Sequence, residues 1–67
     1  MLLKEIVEKE TQKYLDRIQQ GINEIIKEDY TIINIENIFI DYQNKICIVF
    51  NTLNAYDEEY EEIKRFD

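Results

Sequence analysis

One amphipathic pattern sets most of what this 67-residue chain can fold into. At about 100° per residue, its apolar residues between positions 3 and 28 fall on one side of a helix. Gly21 lies at the edge of this stripe, where it permits a kink, a break or the close approach of another backbone. Because the stripe continues beyond Gly21, we predict one continuous or mildly kinked helix over residues 3–28. The predicted apolar face is Leu3, Val7, Thr11, Tyr14, Leu15, Ile18, Ile22, Ile25 and Ile26.

Residues 30–42 are rich in β-branched and aromatic side chains, a composition typical of a strand. The alternation of apolar residues changes parity near Glu36 and Asn37. This change indicates either a β-bulge or burial of both faces.

A turn is predicted at residues 43–45, because asparagine tolerates a positive φ. Residues 46–53 then form the second strand of a hairpin. A loop of three residues would pair Tyr42 with Ile46 and Ile35 with Leu53, so one face of the hairpin is apolar and the other is partly apolar.

A short last helix is predicted over residues 55–66, with Asn54 as its N-cap. Tyr56, Tyr60 and Ile63 lie at i, i+4 and i+7, which is the spacing of one helical face. The predicted order is therefore α-β-β-α, an α+β fold in a single small domain.

This predicted fold needs reinforcement. A two-stranded sheet is marginal, and a core of this size supplies only about 3–5 kcal/mol. Cys47 is the only cysteine and there is no histidine, so an internal disulfide is excluded and a zinc site is disfavoured. We therefore expect a homodimer that completes the sheet or the core. The expected dimer interface is Ile35, Phe39, Val49 and Leu53.

The charge balance restricts the class of partner. Lys and Arg total 8 and Asp and Glu total 15, which gives a net charge of −7. Such a chain repels nucleic acid and anionic lipid, so we expect a protein partner with a basic surface and no direct nucleic-acid or membrane partner. Residues 1–5 have no long apolar core and no small-residue cleavage site, so we expect no secretory signal, and we expect no membrane span because no apolar run is long enough. We expect a cytoplasmic location in a bacterial host cell, with Cys47 reduced.

The residue types disfavour catalysis. The chain has no serine and no histidine, and Cys47 lies in an apolar segment that predicts a buried strand. Paired carboxylates are abundant, but acid–base catalysis also needs a cleft that shifts their pKa values. The acidic run lacks the alternating oxygens and the glycine of calcium loops. We therefore predict no enzyme activity, no cofactor and no metal site.

The acidic run at residues 57–62 is the most unusual segment, and it has two interpretations. In a solvated helix, its acids would complement the helix dipole and Glu61 would pair with Arg65. Alternatively, the acids imitate the phosphates of a nucleic acid and bind a basic groove, with tyrosines adding contact area. The predicted partner-binding residues are Tyr56, Asp57, Glu58, Glu59, Tyr60, Glu61 and Glu62.

These features favour a small, acidic, non-enzymatic module for protein–protein interaction. By analogy of size and charge alone, it is typical of phage or mobile-element inhibitors of the anti-CRISPR or anti-restriction type. The alternative is a homo-oligomeric structural or regulatory subunit, in which the acids confer solubility and imitate nothing.

Overall fold

The fold is a helix followed by a three-stranded antiparallel sheet. The computed structural model describes residues 2–67 apart from the side chain of Val7, so that member of the predicted apolar face lies outside the described residues. The sheet has the order β1-β2-β3, with β2 in the centre. The predicted α-β-β-α order is therefore wrong: residues 55–66 form no helix. The elements are α1 Leu3–Lys27, β1 Asn34–Ile40, β2 Ile46–Leu53 and β3 Glu59–Phe66.

The helix passes through Gly21 without a break and ends in a Schellman motif. The Asp29 N–H donates to the Ile26 carbonyl at 3.0 Å, and the Tyr30 N–H donates to the Ile25 carbonyl at 3.3 Å. Asp29 occupies the left-handed position with φ 67°, a conformation that Asp tolerates better than most L-residues. This motif turns the chain back toward the sheet.

Strands β1 and β2 are joined by a turn that Asp41 organises. Its carboxylate oxygen Oδ1 accepts the N–H groups of Gln43 at 2.9 Å and Lys45 at 3.0 Å, and its carbonyl accepts the N–H of Asn44. Asn44 has φ 61°. A type I turn followed by a left-handed residue is the usual way to close a three-residue hairpin loop.

Strands β2 and β3 are joined by a second turn with the same bonds at the same offsets. The side-chain oxygen of Asn54 accepts the N–H groups of Tyr56 at 2.8 Å and Glu58 at 3.0 Å. The Asn54 carbonyl accepts the N–H of Asp57, whose φ is 59°. Asn54 thus bonds backbone N–H groups as an N-cap would, but it closes a hairpin loop.

The third strand forms because β2 needs a partner on its second edge. The side chains of β2 alternate between the two faces of the sheet, and five of its eight residues are fully buried. Unpaired backbone N–H and C=O groups on the second edge of β2 would therefore be costly. Pairing with β3 satisfies them, with Ile46 opposite Phe66 and Leu53 opposite Glu59. The helical spacing of Tyr60, Ile63 and Phe66 is overridden by this long-range pairing.

The register of β1 on β2 differs from the predicted one. Ile38 pairs with Ile48, and Asp41 with Lys45 closes the loop instead of Tyr42 with Ile46. The loop lies one residue earlier than predicted, so the partner of each β1 residue shifts by two positions along β2. A shift of two leaves residues 37–40, which follow the bulge, on the faces that were predicted for them. The parity change corresponds to a bulge at Glu36, where the register shifts between Ile35 and Asn37.

The core lies between one face of the sheet and the C-terminal half of α1. Gly21 lets the helix come close to the sheet, since a Cβ there would lie 2.9 Å from Phe66 Cδ2 and 3.0 Å from Ile48 Cδ1. Tyr30 and Phe50 meet edge to face with ring centroids 5.6 Å apart. The fully buried core residues are Ile25, Ile46, Ile48 and Phe50, with Ile18, Ile22, Ile32 and Ile38 packed against them.

The helix is longer than the sheet that it covers. Arg17 donates to the carbonyl of Asn44, in the β1–β2 turn, so the sheet ends beside Arg17. The preceding residues 2–16, here called the arm, extend beyond the sheet. The molecule consequently measures 54 × 21 × 17 Å, with a radius of gyration of 14.4 Å, against about 11 Å for a compact domain of this length.

Candidate interaction surfaces

The arm and the acidic hairpin lie at opposite ends of the molecule. Along α1, Arg17 contacts the β1–β2 turn, Gly21 lies beside Ile48, and Tyr30, just after the helix, contacts Phe50. Moving toward the end of the helix therefore means moving along β2 toward its end. The turn at Asn54 projects beyond the C-terminal end of α1, and the arm projects beyond the other end of the sheet.

The predicted acidic residues surround this projecting hairpin turn instead of lining a helix. Asp57 lies in the turn, Glu59 and Glu61 point to the face that the helix does not cover, and Glu62 points to the face that it does. Tyr56 is 83% exposed in the turn, and Tyr60 is 37% exposed on the covered side. The predicted acidic helix is thus wrong, although the same residues remain together at one end of the sheet.

Within the described part of the chain, the acids of this hairpin form no ion pair. Arg65, the predicted partner of Glu61, instead binds the Asp41 carboxylate at 2.6 Å. Lys64 binds Glu28 and lies 4.9 Å from the ring centroid of Tyr30. Contacts with Tyr30, and then with Glu28, raise the pKa of Lys64 above its ordinary value. The nearby cations are therefore engaged elsewhere, and the hairpin keeps its negative charge.

The helix-free face of the sheet carries a small apolar patch. Val49 is half-buried and lies beside its pair Ile63, which is 52% exposed, and Phe39 on β1 is 40% exposed. Leu53 lies further along β2 on the same face. Of the predicted dimer-interface residues, Ile35 does not belong here, because it pairs with Phe50 and shares the face of that buried ring.

A polar brace joins the ends of all three strands on this face. Arg65 of β3 donates through Nε to Asp41 and through Nη2 to Gln43, both at 2.6 Å. The backbone N–H of Lys45, the bond to Gln43 and the Arg65 guanidinium lower the pKa of Asp41 below its usual range. Cys47 lies beneath the brace, 2% exposed, with Sγ 3.9 Å from Asp41 Oδ2. The brace holds the register of the sheet and leaves Cys47 little access to solvent.

An open groove of about 380 Å³ runs beside Gly21, and the carboxylates of Glu24 and Asp67 and the guanidinium of Arg17 line it. No three Cys, Asp or Glu side chains among residues 2–67 are arranged to hold a metal ion. In the same range, the chain has no helix with an apolar stretch sufficient to cross a bilayer.

Comparison with protein-family models, curated proteins and solved structures gives no match.

Sequence reasoning missed the second hairpin turn and the exposed arm. The turn had a signal: Asp41 and Asn44 in the first turn have the same spacing as Asn54 and Asp57 in the second. An Asx residue followed three positions later by another one supplies both the side-chain acceptor and the left-handed residue. The arm had no comparable signal, because the apolar stripe is continuous from Leu3 onward.

Proposed function

We propose that this chain is a non-catalytic binding protein that covers the basic surface of a partner protein with its acidic β2–β3 hairpin. The observation that carries the proposal is the unpaired charge of that hairpin. In a helix, the dipole and pairs at i, i+4 would account for the acids. A strand has neither, and the residues opposite Glu59, Glu61 and Glu62 on β2 are Leu53, Asn51 and Phe50, which offer no positive charge. Acids that do not help the fold are more readily explained by a partner.

The spacing of the acids supports imitation of a nucleic-acid strand. Successive residues advance about 3.4 Å along an antiparallel strand. One strand of B-DNA carries one charge per about 3.4 Å of its axis. Side chains alternate between the two faces of a strand, so Glu59 and Glu61 lie about 7 Å apart on one face, which matches every second phosphate of such a backbone. The exposed ring of Tyr56 supplies the aromatic contact that binding hot spots favour.

A bacterial nucleic-acid-handling protein is the class of partner that this chemistry fits, and a phage or mobile-element inhibitor is the role that we infer. The test is capture of a partner from bacterial lysate by the tagged chain at low and high salt, followed by competition with nucleic acid. Capture at low salt, loss at high salt and displacement by nucleic acid are expected, because exposed charge attraction is screened. Capture of the partner that is unchanged by salt and by competing nucleic acid would refute the proposal that the hairpin imitates a nucleic-acid strand.

Two isosteric variants make this test specific. The first neutralises the hairpin and should lose capture, while the second removes equal charge from exposed positions outside it and should retain capture. The hairpin variant is Glu58→Gln, Glu59→Gln, Glu61→Gln and Glu62→Gln. The control variant is Glu5→Gln, Asp16→Asn, Glu24→Gln and Asp29→Asn.

A second candidate function is a self-assembling structural or regulatory subunit whose working surface is the helix-free face of the sheet. The observation that favours it is the exposed patch of Phe39, Val49 and Ile63, with Leu53 nearby. Apolar contact is insensitive to screening, so assembly through this patch should persist at high salt.

A further inference from the structure

We propose that the arm, residues 2–16, pairs antiparallel with the arm of a second copy and forms a twofold homodimer. This inference does not depend on either function above. It begins from the apolar stripe of α1, which continues past the point where the sheet ends. On the arm, the large apolar side chains of this stripe are exposed: Leu3 at 75%, Leu15 at 53% and Tyr14 at 38%.

The accessible surface that this chain exposes beyond that of a compact chain is close to the area that one partner buries in a dimer. A compact chain of 8.2 kDa is expected to expose roughly 4,500 Å², whereas this chain exposes 5226 Å². The excess, roughly 700 Å², is close to the ~800 Å² that each partner contributes to an interface of standard size.

The distribution of charge permits contact between two arms and opposes contact between two acidic hairpins. The arm contains three lysines and four acids, so it carries one of the seven net negative charges of the chain. Lys4 pairs with Glu8, and Lys13 pairs with Glu10, within each arm. Residues 17–67 carry the other six net negative charges. A head-to-head dimer through the arms places these acidic regions at its far ends, where they repel least.

The shape of the space beneath the arm fits a helix of the same length. The fourteen helical residues of the arm, 3–16, span about 21 Å. On the side that the sheet would occupy, this space ends at the β1–β2 turn, where Arg17 donates to the Asn44 carbonyl. A helix packs at about 8–10 Å from its neighbour. A second arm therefore fills the layer. In a twofold contact the same surface serves both copies.

The test is the mass of the full chain in solution, measured by sedimentation equilibrium across a dilution series. The wild type should be a dimer, and the double variant Leu3→Glu with Leu15→Glu should be a monomer. Ile26→Glu, on the same helix but outside the arm, and Ile63→Glu, on the sheet patch, should both remain dimers. A monomeric wild type, or a dimer that survives the arm variant, would overturn the proposal. Dissociation by Ile63→Glu alone would assign the contact to the sheet face.

Two further readouts separate a lost contact from a lost fold and test the direction of pairing. An isolated helix of arm length is marginal in water, so the far-UV helix signal of the wild type should fall on dilution in step with the mass. Antiparallel arms place Leu3 opposite Leu15. A mixture of Leu3→Cys and Leu15→Cys chains should then be joined by a short thiol cross-linker, while neither variant alone should be. Cross-linking of the single variants would contradict the antiparallel arrangement.

Discussion

Replacement of Gly21 by alanine sets two effects of known size against each other. Alanine in a helix interior is more favourable than glycine by about 1 kcal/mol. The added Cβ would lie 2.9 Å from Phe66 Cδ2 and 3.0 Å from Ile48 Cδ1. Carbon atoms pack best at about 3.5–4.0 Å, so these neighbours must move by about half an ångström or more. Overpacking of this kind costs about 1–3 kcal/mol.

The packing cost should exceed the gain, because Ile48 is fully buried and has no room to move. We expect Gly21→Ala to lower the free energy of unfolding by roughly 1 kcal/mol, which corresponds to about 4–8 °C in Tm for a domain of this size. Urea and thermal unfolding at one fixed protein concentration measure the change. Gln20→Ala and Gln20→Gly, at the exposed neighbouring position, give the helix-propensity term in this same helix.

A double-mutant cycle isolates the contact. In the background of Phe66→Ala the nearer clash is removed, so Gly21→Ala should become neutral or stabilising, with a coupling of about 1 kcal/mol or more between the two sites. The difference in unfolding free energy between Gln20→Ala and Gln20→Gly gives the gain expected from helix propensity alone. If Gly21→Ala stabilises the chain by that same amount, both in the wild type and in the Phe66→Ala background, the close approach of helix and sheet is refuted.

Three further predictions concern single side chains. Thr52→Val removes a fully buried hydroxyl that has no hydrogen-bond partner among residues 2–67. The free energy of unfolding, measured by urea titration, should therefore rise by about 1 kcal/mol. The control Thr31→Val, at an exposed position, should change that free energy little. Asp41→Asn keeps the acceptor of the turn but loses the charge that pairs with Arg65. Because the pKa of Asp41 is lowered in the folded chain, its contribution is present above the ordinary carboxyl pKa of about 3.9 and is lost as the pH falls below it. The difference in Tm between wild type and Asp41→Asn should therefore be largest near neutral pH and disappear in acid, and a constant difference would exclude the charge pair as its cause. Asp57→Gly should raise Tm slightly, because glycine adopts the left-handed backbone of Asp57 without steric cost, whereas aspartate only tolerates it, and a fall in Tm would contradict a left-handed backbone at this position.

The sequence alone determined the elements whose signals are local. The apolar stripe from Leu3 onward places the long helix, and helix periodicity needs no tertiary information. The Ile46–Leu53 segment was predicted as a strand, and the structure has a strand with the same bounds, although its central position comes from pairing with β3. The parity change near Glu36 indicated either a bulge or burial of both faces, and the register shift between Ile35 and Asn37 shows that it is a bulge.

Only the tertiary structure decided the state of residues 55–66 and the extent of the core. Asn54 can bond backbone N–H groups either as a helix N-cap or as the first residue of a hairpin turn, so local chemistry leaves the two states close in energy. The open edge of β2, distant in sequence from Phe66, favours the strand. Likewise, the stripe on α1 is uniform, and only the length of the sheet separates Ile18, which is packed, from Leu15, which is exposed. A sequence pattern shows which residues are able to be buried, whereas the dimensions of the neighbouring elements determine which ones are.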